Sequence, residues 1–224
     1  MILARHGDTD YTESGIIQGT LDPPLNARGT NAAIELSDFL APTPIDIVMA
    51  SELKRSYQFA EPTAIRFGIP VLKEPMLNER YWGSVQGRHY SKINTGGLTL
   101  ENFLYFTNDV TTGINDGDRI SSEPIAKVKR RIKELKNRLF RNNPNSTVFM
   151  SLHEYVLSYL LDEMISAGNG HTFYKHVPGG LTDLRVDVTR WDDENPIYTI
   201  SVFQTNFYSY KSQQKNAPNV PLLS

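Results

Sequence analysis

The sequence predicts an α/β fold in which a largely parallel sheet is covered by helices on both faces. Short apolar runs suited to buried strands alternate with longer stretches of helical spacing, the pattern of a parallel sheet. Polar, chemistry-bearing residues follow three of those runs, at Arg5-His6, at Ser51 to Arg55 and at Ser151 to His153. Loops at the carboxyl ends of strands are where such sheets build their sites, so the three patches are expected to meet.

Residues 1–4 are apolar and read as a very short buried first strand. Residues 7–25 form a polar loop punctuated by Gly15, Gly19, Pro23 and Pro24. A helix follows over 27–40, with Ala32, Ala33, Leu36 and Leu40 on one stripe, Asn26 as its cap, and Pro42 and Pro44 beyond its end. The apolar run 45–50, broken only by Asp46, suits a central strand. Ser51 is expected to cap a helix over 52–67 that Pro62 kinks or restarts. Val71-Leu72 read as a short strand.

From Leu77 to about Ser121 the pattern is irregular, with a turn at Thr95-Gly96-Gly97 and aromatic residues at Phe103, Tyr105 and Phe106. It reads as an insertion over one end of the sheet. Ser121 or Ser122 then caps a helix to about Phe140, with Pro124 in its first turn. Ile125, Val128, Ile132, Leu135 and Leu139 keep helical spacing along it. A strand over 147–151, a helix over 154–167 and strands over 181–188 and 197–203 complete the series. The expected organisation is one domain over 1–208, with 84–121 as a lid insertion and 209–224 as a polar tail.

A chain of 224 residues with 39% hydrophobic and 21% charged residues buries a core without staples. Its net charge of −2 lacks the basic footprint of a nucleic-acid binder. There are no cysteines, which excludes disulfides, thiolate catalysis and cysteine-ligated metals. No apolar run approaches the roughly 18 residues of a membrane span, and no basic, apolar and cleavage-site succession opens the chain. A cytoplasmic protein with neither membrane nor nucleic-acid partner is expected.

Arg5-His6-Gly7-Asp8-Thr9 carries the chemistry. Imidazole is a competent nucleophile near neutral pH, because its unperturbed pKa is about 6.5. Arg5 offers a planar fork that matches phosphate oxygens, and Gly7 lets backbone N–H groups approach an anion. Phosphoryl transfer to a histidine is mostly positioning and electrostatic stabilisation. Arg5 and Arg55 can clamp the equatorial oxygens, with His153 as a third donor. Glu79 is the candidate acid for the leaving oxygen, and Leu77, Tyr81 and Trp82 around it would raise its pKa by desolvation.

These segments together resemble the histidine phosphatase superfamily, in the branch of cofactor-dependent phosphoglycerate mutases and small broad-specificity phosphatases. Arg5 to Thr9 is similar to the Arg-His-Gly-x-Thr signature. Gln18-Gly19 with Asp22-Pro23-Pro24-Leu25 and Gly29, Ser51 to Ala60, Leu77 to Gly87, and Met150 to His153 resemble four further motifs in the family's order. The resemblance implies a three-layer α/β/α sandwich with a mostly parallel central sheet and no metal or cofactor. It makes His6 the phosphorylated nucleophile, with Arg5, Arg55 and His153 as the phosphate pocket and Glu79 as proton donor. Thr9, Gln18 and Gly19 fall on the substrate side, and the partner is a small phosphorylated substrate.

Departures from the pattern bear on function. Tyr11-Thr12 stands where the family has Trp-Asn, which removes one phosphate donor, and Glu154 stands where this branch has Gly. Glu154 is therefore a rival general acid to Glu79. The mutases' arginine pair downstream of the lid is not evident, which favours hydrolysis over mutase chemistry. A phosphate binder without turnover is the third reading. His171 and His176 read as an exposed loop, and Arg88 and His89 as candidate substrate contacts of low weight. The basic stretch from Lys127 to Arg141 reads as a solvated helix face, with steering of anionic substrates as a secondary role.

Overall fold

Strand β1 (Ile2–Arg5) is an inner strand of the six-stranded sheet in the computed structural model, which describes residues 1–93, 104, 122–143, 145–165, 176–190 and 197–207. The other strands are β2 (Ile47–Ala50), β3 (Val71–Lys73), β4 (Val148–Leu152), β5 (Leu181–Arg190) and β6 (Ile197–Phe207). Their order is β3-β2-β4-β1-β5-β6. β3, β2, β4 and β1 pair in parallel, β5 runs antiparallel to β1, and β6 antiparallel to β5. All strands but β5 therefore point the same way.

The side-chain alternation of these strands splits the core in two, as period 2 requires. Ile2, Ala4, Val48, Ala50 and Phe149 pack on one face with Ala33, Leu36 and Leu40 of α2 (Ala27–Leu40) and Phe59, Ala60 and Ala64 of α3 (Lys54–Phe67). Leu3, Met49, Val148, Met150 and Leu152 pack on the other. They meet Val128, Ile132 and Leu135 of α4 (Ile125–Asn142) and Val156, Leu157 and Leu160 of α5 (Glu154–Ile165). This is the α/β/α sandwich. All five residues of β4 are buried, as expected of a strand covered on both sides.

Several expected boundaries hold. α2 has the expected limits, and the Asn26 side chain accepts from Gly29 N at 2.9 Å. Others differ for local reasons. A one-turn helix, α1 (Asp10–Glu13), interrupts the expected loop, because Thr9 and Thr12 form a reciprocal capping box. Ser51 does not cap α3: the cap position is Leu53, without a side-chain bond. Pro62 does not break α3, which runs on to Phe67, and its carbonyl accepts from Ser37 Oγ. Ser122 does not cap α4; its hydroxyl lies 3.3 Å from Arg80 Nη2, and Pro124 holds the cap position. Residues 94–103 and 105–121 of the expected lid, with Phe103, Tyr105 and Phe106, and the tail over 209–224 lie outside the described residues. Among the described residues no helix is long and apolar enough to cross a membrane.

Gly29 fixes how the loop after β1 approaches α2. A Cβ at Gly29 would sit 2.2 Å from the Asp8 carbonyl oxygen, and one at Gly7 would sit 2.8 Å from Gly29 Cα. The two backbones touch because neither residue has a side chain. Gly7 thus serves loop packing. Gly29→Ala is expected to lower the unfolding free energy by about 1–3 kcal/mol through overpacking, measurable as a drop in urea midpoint at unchanged m-value.

Candidate active site

The β1–β4 ladder sets the site. Arg5 is the register partner of Leu152, and His6 N donates to Leu152 O at 2.9 Å. The next residues of the two strands, His6 and His153, thus emerge side by side, with ring centroids 5.1 Å apart in an edge arrangement. Both imidazoles are buried. β2 ends one strand further over, and Ser51 N donates to Ser151 O at 3.3 Å.

His6 is held in one tautomer. Its Nδ1–H donates to Gly7 O at 2.7 Å, so Nε2 carries the lone pair. That lone pair accepts from Arg55 Nε at 3.1 Å. Arg55, buried in the first turn of α3, also donates to Leu21 O and to Gly19 O, both at 2.7 Å. Gly19 needs its missing side chain: φ is +52°, and a Cβ would fall 2.1 Å from Gln86 Oε1. Gln86 Oε1 in turn accepts from Thr20 N at 2.9 Å and Trp82 N at 3.1 Å, tying this turn to the segment that carries Glu79.

Glu79 is buried beside Leu77 and Trp82, while Tyr81 is 45% exposed. Its carboxylate accepts from Arg80 N at 2.8 Å and Tyr155 N at 3.4 Å. Burial outweighs these bonds and the nearby Arg55, and holds its pKa above the usual carboxylate range. Arg80, also buried, fixes this segment by donating to Leu104 O at 2.8 Å and Glu123 O at 2.7 Å.

His153 Nε2 lies 2.7 Å from Ser51 Oγ. The same hydroxyl accepts from Leu53 N at 3.3 Å. His153 Nδ1 is buried, with no hydrogen-bond partner among the described residues. Burial, Arg55 and Arg5 hold both histidines well below the ordinary imidazole pKa. Burial lowers Arg55 to about 10, so it stays charged at neutral pH.

Arg5, His6, Gln18, Gly19, Arg55 and Glu79 line one cavity of about 470 Å³, together with Trp82, Tyr155 and Glu154. A neutral nucleophile, two guanidinium groups and a protonatable carboxyl around one cavity suit attack on a small dianion. Of the other residues singled out from sequence, Thr9 is buried and caps α1; its hydroxyl donates to Gln18 Oε1 at 3.1 Å and so orients that amide. His153, whose ring lies edge-on to His6, is absent from the cavity wall, where the sequence expected a third phosphate donor. His176 is buried, not exposed, with Nε2 2.7 Å from Thr182 Oγ1, and its carbonyl accepts from Arg5. His171 lies outside the described residues. Arg88 and His89 are absent from the cavity wall.

A family model for the histidine phosphatase superfamily (branch 1) matches residues 1–196. The chain belongs to that superfamily. It is 29% identical over 166 residues to the adenosylcobalamin/alpha-ribazole phosphatase of Escherichia coli (strain K12), covering 73% of this chain and 77% of that one. It is 32% identical over 93 residues to phosphoglycerate mutase 1 of Saccharomyces cerevisiae, covering 39% of this chain and 38% of that one. A mycobacterial glucosyl-3-phosphoglycerate phosphatase shares its fold, with a TM-score of 0.72 at 21% identity over 91% of this chain and 97% of that one.

Within that superfamily the departures read from sequence acquire geometry. Thr12 Oγ1 is engaged in the α1 cap, accepting from Thr9 N and donating to Thr9 O, both at 2.8 Å. Glu154 Oε2 lies 2.7 Å from Arg5 Nη1. Part of the basic helix α4 is engaged in ion pairs, while Lys127, Arg130, Lys133 and Arg141 are exposed. Lys129 pairs with Asp162, Arg131 with Glu123, Lys136 with Glu163 and Arg138 with Glu74. Sequence reasoning missed Arg80 and Gln86, whose roles depend on partners far along the chain, and gave Ser51 to the wrong partner.

Because the folded histidines resist protonation, the unfolded chain binds the extra protons below about pH 6.5, and stability falls on acidification. Each imidazole contributes a slope of up to about 1.4 kcal/mol per pH unit in that window. Urea titrations from pH 7 to 5 should show the fall, and His153→Gln should make it shallower.

Proposed function

We propose that the protein is a phosphomonoesterase that works through a phosphohistidine on His6 Nε2. The observation that carries this reading is the tautomer lock: Nδ1–H on Gly7 O leaves the Nε2 lone pair beside the guanidinium of Arg55 and open to the cavity that Glu79 shares. Substrate phosphate takes the place of Nε2 as the partner of Arg55 Nε. Arg5 and Arg55 hold its equatorial oxygens as negative charge spreads over them. Nε2 forms the N–P bond while the P–O bond to the alcohol breaks, and Glu79 gives its proton to the departing oxygen. The Glu79 carboxylate then removes a proton from water, which attacks phosphorus. The N–P bond breaks, neutral His6 returns and inorganic phosphate is released.

The raised pKa of Glu79 supports its acid role near neutral pH, where an ordinary carboxylate would already have lost its proton. Hydrolysis is favoured over mutase transfer because Arg28, on the cavity wall, is already engaged by Asp8 at 2.8 Å and Glu13 at 3.4 Å. A mutase must hold an anionic substrate while its phosphoryl group changes hydroxyl, and that arginine is not spare for a carboxylate. The second reading, a phosphate binder without turnover, draws on the engaged Thr12 and the Glu154–Arg5 pair.

Rapid quenching after mixing with a ³²P-labelled phosphomonoester should trap an acid-labile, alkali-stable adduct that His6→Ala lacks. Absence of both adduct and turnover across a panel of phosphoesters rejects the enzyme reading. Isomerised phosphoester in place of free phosphate identifies a mutase. Glu79→Gln is expected to lower kcat about 10²–10⁴-fold on alkyl phosphates. In kcat/KM, which covers the steps through phosphorylation, it should cost much less on p-nitrophenyl phosphate, whose leaving group needs no proton, and it should abolish the alkaline limb of the pH–rate profile on alkyl phosphates.

A further inference from the structure

A second anion already sits on the phosphate clamp. Glu154 Oε2 lies 2.7 Å from Arg5 Nη1, with both side chains mostly buried. Glu154 is the first residue of α5, directly after His153, and it lines the same cavity as His6. The N-terminal end of a helix favours a carboxylate there. Arg5 Nη1 also donates to His176 O, and Arg5 Nε is buried with no hydrogen-bond partner among the described residues. The guanidinium thus holds one resident carboxylate while keeping a donor in reserve.

Resting on the phosphatase reading above, we propose that Glu154 is a positioning residue that competes with phosphate for Arg5. In the empty site its carboxylate keeps Arg5 aimed at the cavity. When a phosphoryl group enters, the two anions share one guanidinium across a poorly solvated gap, where repulsion between like charges is strong. The repulsion is felt by inorganic phosphate, which has only the clamp to hold it. A substrate also gains contacts between its alcohol portion and the Trp82–Tyr155 wall, two rings packed edge-on at 4.8 Å. Glu154 therefore weakens the product more than the substrate and keeps the site from filling with its own product.

The test is calorimetric titration of inorganic phosphate and of vanadate into the full chain, beside steady-state kinetics with phosphate as inhibitor. Glu154→Gln keeps the shape and removes the charge, and Glu154→Gly removes the side chain. Both are expected to bind phosphate at least about tenfold more tightly than wild type, with a matching fall in the inhibition constant and a smaller change in KM. Glu134→Gln, an exposed change on α4, controls for net charge and should leave phosphate binding within about twofold. Unchanged phosphate affinity in both Glu154 variants overturns the inference. So does a fall in kcat confined to alkyl phosphates without tighter phosphate, which would make Glu154 a general acid. Wild type that binds neither phosphate nor vanadate sinks the phosphatase reading itself, a result distinct from either.

Discussion

The parallel pairing of β1 with β4 is the constraint on which the rest of the site depends. With Arg5 opposite Leu152, the hydrogen bond from His6 N to Leu152 O carries the ladder one residue past the sheet. Two imidazoles separated by 147 positions are delivered to one place by backbone geometry alone. A slip of one residue would turn every side chain of β1 to the opposite layer. The apolar alternation forbids it: Ile2 and Ala4 must face α2 and α3, and Leu3 must face α4 and α5. Core packing thereby sets the register of the two imidazoles.

Electrostatics then follow from burial. Enclosing two imidazoles with Arg5 and Arg55 disfavours adding more positive charge, so both rings stay neutral. Neutrality is what the proposed nucleophile requires, and it leaves Arg5 and Arg55 as the positive charge beside the imidazoles. Glu79 and Glu154 face that field differently. Glu79 is buried among apolar side chains and resists ionisation, whereas Glu154 sits against Arg5 as an ion pair. Two carboxyl groups on one cavity are thus given different electrostatic surroundings.

Residues whose meaning is local could be read in advance. The α2 stripe and the Asn26 cap are neighbours along the chain, so periodicity and capping chemistry locate that helix. The apolar run that became β4 is unambiguous because no polar face interrupts it. Ser51, Ser122 and His176 were misread because each side chain finds a partner across the fold: His153, Arg80 and Thr182. A serine before a helix is normally a cap, and nothing nearby in the chain announces the stronger claim of a buried imidazole. Pro62 was expected to interrupt α3, yet local propensity yields where a helix is held along its length by a packed face.

Motif order and residue chemistry in the sequence determined the family, the α/β class and the identity of the groups gathered around the cavity. They could do so because strand ends, glycine turns and arginine forks are local devices with few alternatives. The tertiary structure alone decided the tautomer of His6, the occupation of Arg5 by Glu154 and the pairing of Lys129, Arg131, Lys136 and Arg138 of α4 with carboxylates. Each of those is a property of distance and desolvation between segments remote in the chain, and such quantities exist only once the layers have packed.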